Sequence, residues 1–156
     1  MKYRLKITDE ESKKEINVSE DEIIEVKYKI GLAEDTNLAN SRSTVEMEIT
    51  GKIISNLENA GNNSNLETKN VNDDLYEKNK KNIIDLVEWA ESYLQKSDYR
   101  NLEMFVDLGS NKKMDLKFTN MFVYNFLQEM SIEKGIGIFK LKLRQKFHQK
   151  NKLDIK

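Results

Sequence analysis

The sequence predicts a mainly β fold with one α-helix, an antiparallel β-sandwich or barrel with a helix packed on its flank. Three observations predict it. Apolar residues alternate with polar ones in six separate segments, the period of a strand with one buried face. One segment, Ile83 to Leu94, instead repeats at helical spacing. The order is three strands, a helix and three strands, with hairpin-like spacing at the end.

The elements follow in chain order. Tyr3, Leu5 and Ile7 alternate with Arg4 and Lys6 as a first strand, and the polar run from Thr8 to Lys14 reads as a turn. Ile24, Val26, Tyr28 and Ile30 line a second strand, which Gly31 ends. Residues 31–44 lack either period and form a long loop where a hairpin normally spends two to five residues. Val45, Met47, Ile49 and Ile53 mark a third strand, interrupted at Gly51 and backed by Glu46, Glu48, Thr50 and Lys52. Residues 55–72 hold seven asparagines and few apolar side chains, which describes a solvated loop.

Asn72 is placed to cap the helix, with Asp73 and Asp74 at the positive end of its dipole. Ile83, Val87, Ala90 and Leu94 form one stripe and Leu86, Trp89 and Tyr93 a second. The apolar arc is wider than one sheet face needs, so the helix is expected to be covered on two sides. Leu102, Met104, Val106 and Leu108 build a fourth strand, and Gly109 to Lys112 a turn. A fifth strand starts at Met114, Leu116 and Phe118 and continues through Phe122, Tyr124 and Phe126. Asn120 occupies an apolar position in it, which predicts a bulge near Asn120 and Met121. Gly135 and Gly137 precede the last strand, where Phe139, Leu141, Leu143 and Phe147 oppose Lys140, Lys142, Arg144 and Lys146.

The 156 residues fit one domain, 1–156. With 26 basic and 27 acidic residues the charge is balanced and selects neither nucleic acid nor an acidic substrate. The absence of cysteine removes disulfides, thiolate nucleophiles and thiolate metal sites. His148 is the one histidine and has no partner for a metal or a triad. No phosphate loop is present, and the many carboxylates read as solvated surface. An enzyme, a cofactor and a metal are therefore not expected. No apolar run approaches the roughly 20 residues of a membrane span, and no signal peptide opens the chain, so synthesis in the cytoplasm without membrane insertion is expected.

Lys140, Lys142, Arg144, Lys146, His148, Lys150 and Lys152 all sit at even positions. In an extended strand they would form a row at about 6.6 Å intervals. Such a row suits either a nucleic-acid groove or cross-strand pairing with Glu46 and Glu48. Stacking aromatics are missing from that face, which favours the pairing.

Residues 118–147 resemble a known family. Phe118, Asn120 and Val123 match the F-x-N-A-x-V strand of the tail-tube proteins of contractile injection machines, with Met121 in place of the small residue. This family includes phage and phage-like tail tubes and the Hcp tubes of type VI secretion. Gly137, Phe139, Leu141, Leu143, Gln145 and Lys146 match its final strand. The resemblance implies a tail-tube-like sandwich that forms homo-hexameric rings, stacked into a tube within a virion tail, phage-like particle or injection apparatus. Sheath, baseplate and tape-measure proteins would be partners, with DNA or protein cargo in the lumen. It places ring stacking on Ala33, Glu34, Asp35, Asn37, Leu38, Asn40 and Arg42, and an inter-subunit or lumen-facing charged row on Lys140, Lys142, Arg144 and Lys146. Ile83, Val87, Trp89, Ala90 and Leu94 would be the packing face of the helix. The alternative is a β-barrel nucleic-acid-binding module using the basic strand 140–152.

Overall fold

A computed structural model describes residues 1–32, 43–54, 69–93, 98–133, 136–145 and 153–156. The order is β1 (Lys2–Thr8), β2 (Glu15–Val18), β3 (Ile23–Leu32), β4 (Ser43–Ile53), α1 (Lys69–Glu91), β5 (Arg100–Gly109), β6 (Lys112–Ser131), β7 (Ile136–Gln145) and β8 (Leu153–Ile155). The expected mainly antiparallel β fold with one helix is what forms. Every strand pairing is antiparallel, in the order β2-β1-β5-β6-β7-β4-β3, with β8 added to β6.

The 20-residue β6 organises the fold. Its first half pairs with β5 and β8, and its second half, from Met121 onward, with β7. The change of partner falls where Asn120 takes a left-handed φ of 53° and the β5 register shifts between Arg100 and Leu102. Asparagine tolerates this conformation better than most residues, so the bulge predicted at Asn120 is built there. Asn101 Oδ1 accepts the Asn120 amide at 3.2 Å, and Gln145 Nε2 donates to the Thr119 carbonyl at 3.0 Å. The bend turns one sheet onto itself, bringing Tyr28 of β3 edge-on to Phe118 of β6 at 5.6 Å.

One core fills the interior. Leu5, Ile7, Ile16 and Val18 enter from β1 and β2, Leu102, Met104 and Val106 from β5, and Phe139, Leu141 and Leu143 from β7. Ile83, Leu86 and Trp89 close it from α1, where the Trp89 Nε1–H donates to the Asp98 carbonyl at 2.8 Å. Gly51 is required by a close approach: the Phe139 ring lies across it where a side chain would stand.

Several expectations need correction. Strands β2 and β8 were not expected, so the order among the described residues is four strands, helix, four strands. The helix begins at Lys69, which places Asn72 inside it rather than at its cap and takes residues 69–72 out of the Asn-rich loop. Residues 31–32 and 43–44 belong to strands, shortening the first loop. A bulge between Ile23 and Glu25 buries Ile23 and exposes Ile24. A shift between Val123 and Asn125 separates Phe126, on the core side opposite Leu141, from Phe122, opposite Arg144. Leu108 lies beyond the core and is exposed. Gly137 belongs to the last strand, against Ile53, rather than preceding it.

Candidate assembly surfaces

The last strand's basic row is one side of a charge ladder. β7 lies between β6 and β4, with Lys142 opposite Glu48 and Arg144 opposite Glu46. Lys142 Nζ is 3.6 Å from Glu48 Oε2 and Arg144 Nε 3.0 Å from Glu46 Oε1. Arg144 also lies 4.3 Å over the Tyr124 ring. A second ladder crosses the other half of the fold, where Lys6 meets Glu15 at 2.9 Å and Lys117 meets Glu103 at 3.1 Å. Both outer faces thus alternate in sign. β7 is described over Ile136–Gln145, and Lys140, Lys142 and Arg144 are the positions of the row that lie on it. Lys146, His148, Lys150 and Lys152 lie outside the described residues, as do Ala33, Glu34, Asp35, Asn37, Leu38, Asn40, Arg42 and Leu94.

The sheet has two kinds of edge. β2 and β8 are short, four and three residues, which limits pairing with another chain. The half-sheet β6-β7-β4-β3 is different. Among the described residues no strand lies beside β3 on its far side, and none pairs with Phe122–Met130 of β6 on the side away from β7. These open edges are of similar length and lie at opposite ends of four strands. β3 is also apolar where it is open: Tyr28 and Ile30, on the core side opposite Met47 and Val45, remain 40% and 51% exposed.

Ile83 and Trp89 are buried under α1, whereas Val87 and Ala90 face a groove of about 590 Å³. That groove runs between the end of the helix and the open edge of β6, and Tyr93, Tyr99, Phe122 and Phe126 also line it. Tyr99 holds Phe122 edge-on at 5.9 Å.

Two polar clusters were not anticipated, because acidic residues were read as solvated. Glu22 is 1% exposed. Its Oε2 accepts from the Ser19 amide at 2.7 Å and the Ser19 hydroxyl at 3.0 Å, and its Oε1 from the side-chain amides of Asn79 and Asn82, both at 3.0 Å. Asn79 also accepts from the Ile54 amide at 2.8 Å, so the cluster ties α1 to the end of β4. A sequence signal existed: Asn79 and Asn82 share the helical stripe of Ile83 and Leu86.

In the second cluster Asp9, Asp98 and Arg100 are buried, with the Arg100 guanidinium 5.3 Å from the Trp89 ring centre. Burial pushes the Asp9 carboxyl up, but hydrogen bonds from Ser12 and the Glu11 and Ser12 amides, with the Arg100 charge, leave it below its ordinary value. Burial raises Asp98, against the pull of Arg100. These clusters pin loops and helix; no group of three or more potential metal ligands occurs among the described residues. No helix among them is long and apolar enough to cross a membrane.

These features define a helix-capped antiparallel β-module with charged ladders outside and, among the described residues, two long open edges. No protein-family model and no curated protein matches the chain. Among solved structures, the Hcp1 protein from E. coli EAEC 042, in mutant form, is similar at a TM-score of 0.57 with 10% identity, covering 100% of this chain and 98% of that one. A crystal structure of an Hcp protein gives 0.50 and 8%, covering 99% and 98%. The six-fold symmetrised baseplate of the anti-feeding prophage gives 0.50 and 6%, covering 99% and 92%. The chain therefore has the Hcp-like fold of the tube proteins, over its whole length.

Proposed function

We propose that this protein is a structural tube subunit that assembles into stacked hexameric rings, the inner tube of a contractile phage tail, phage-like particle or injection system. The observation that carries the proposal is the pair of open edges on β3 and β6. Two antiparallel strands, β7 and β4, lie between them and complete an even set of four, so β3 runs opposite to β6. A neighbour's β3 can then join β6 without breaking the antiparallel order, and successive copies close a ring in which no long edge remains.

The Hcp-like fold and the six-fold symmetry of one similar assembly support six copies per ring. The residues 33–42 carry the proposed stacking contact, and sheath, baseplate and tape-measure proteins are the proposed outer and axial partners. Lys140, Lys142, Arg144 and Lys146 contribute a charged wall, facing the lumen or the next subunit. Lys142 and Arg144 are already matched by Glu48 and Glu46, which suits a passive conduit for DNA or protein better than a basic nucleic-acid groove. Replacing residues 33–42 by a two-residue Asn-Gly turn, which keeps the pairing of β3 with β4, tests the stacking role: single rings should persist and tubes should vanish. Tubes formed at the parental length would overturn the assignment.

A further inference from the structure

We propose that β8 is a built-in cap that imitates β6, and that it blocks a two-fold pairing of the first half of β6 with a second copy of this chain. β8 lies along β6 on the side away from β5, with Leu153 opposite Phe118, Asp154 opposite Lys117 and Ile155 opposite Leu116. Lys156 extends the register: its amide donates to the Asp115 carbonyl and its carbonyl accepts the Asp115 amide, both at 2.9 Å. The covered segment reads Met114, Asp115, Leu116, Lys117, and the segment that covers it reads Leu153, Asp154, Ile155, Lys156. The two agree in class and direction at every position: apolar, acidic, apolar, basic.

That agreement makes the β6 segment complementary to itself. Two copies of it, set antiparallel about Leu116, place Asp115 of each opposite Lys117 of the other, Leu116 opposite Leu116, and Met114 opposite Phe118. This is the register that β8 already occupies, residue for residue. Opposite charges directly across antiparallel strands attract, and here they also extend a row of alternating sign. The row runs through Lys6, Glu103, Lys117 and Asp154 on β1, β5, β6 and β8, and a second copy's Asp115 would end it as Asp154 does. The occupant is therefore a second copy, joined by a closed two-fold contact that cannot propagate. The cap itself is light: β8 has three residues, Ile155 is 50% exposed, and Asp154 and Lys156 are exposed too. It prevails over a second copy because it is tethered to the same chain, which gives it a high effective concentration. The inference does not depend on the ring reading, which uses β3 and the other half of β6.

The chain has no cysteine, so an introduced pair of thiols reports on this contact whatever rings form. The test mixes an Asp115→Cys variant with a Lys117→Cys variant under mild oxidation and reads disulfide-linked dimer on a non-reducing gel. It is run in the full chain, in a chain that stops at Lys152, and in a full chain carrying Asp154→Lys and Lys156→Glu, which sets like charges opposite Lys117 and Asp115. The expected result is at most a trace of dimer in the full chain and a strong dimer band in both of the others. The charge-reversed chain keeps its length, so it decides the matter if the shortened chain does not fold. Dimer as strong in the full chain as in the other two would overturn the cap. No dimer from the charge-reversed chain, with its circular dichroism unchanged, would overturn the two-fold pairing. Neither result touches the tube reading, whose contacts do not bring residues 115 and 117 of two copies together.

Discussion

Gly51→Ala places one methyl group where the fold has no room for it. The added Cβ would overlap the Phe139 ring and approach the Glu22 carbonyl oxygen to 2.9 Å. Neither neighbour yields easily. Phe139 is buried and stacks on Phe126 at a ring separation of 6.2 Å, and the Glu22 carbonyl accepts the Lys52 amide at 2.7 Å in the turn entering β3. Overpacking of this kind costs about 1–3 kcal/mol. Displacing the aromatic pair adds about 0.5–1.5 kcal/mol. Alanine recovers about 0.5–1 kcal/mol of backbone entropy relative to glycine. The net expectation is a loss of about 2–3 kcal/mol, or roughly 4–12 °C in Tm at this chain length. Urea unfolding of monomeric protein at low concentration measures it, since assembly would add its own stabilisation. A loss below about 0.5 kcal/mol would refute the view that Phe139 is fixed across Gly51.

Glu22→Gln should destabilise by about 1–3 kcal/mol, because the new amide donors meet groups that already donate; denaturant titration of the two proteins checks this. For Asp9 the folded carboxyl sits below its unfolded value, so its contribution is present above the unfolded pKa of about 3.9 and is lost as pH falls through the folded value. Asp9→Asn should flatten the acid limb of the stability profile, and an unchanged limb would refute the assignment. A double-mutant cycle on Glu46 and Arg144 should return under about 1 kcal/mol, since both side chains are substantially exposed. Asn120→Gly should be tolerated within about 0.5 kcal/mol and Asn120→Val should cost about 1–2 kcal/mol, through the left-handed backbone at the bulge; thermal unfolding of both distinguishes them.

Strands with one buried face were legible because their period survives without knowledge of any partner. Leu102, Met104 and Val106 on β5 and Phe139, Leu141 and Leu143 on β7 are buried as their alternation requires. The bulge was legible too, since Asn120 interrupts an apolar register at a residue type suited to positive φ. The four-residue β2 and three-residue β8 were missed because each is too short to display a period. The Glu22 cluster was hidden by chemistry: carboxylates and asparagines look alike whether hydrated or mutually bonded, and only the fold brings Glu22 to Asn79 and Asn82. The ladder partners of Lys142 and Arg144 were legible as residue types. The open edges were not, since they depend on β7 inserting between β6 and β4 across distant parts of the chain.

Electron microscopy of the purified full chain, with light scattering on the same sample, addresses the central claim most directly. The account predicts closed six-fold rings, stacking into hollow tubes as concentration rises, each subunit joined to the next through β3 and β6. A monodisperse monomer at the highest soluble concentration, or an oligomer that leaves both edges open, would contradict it.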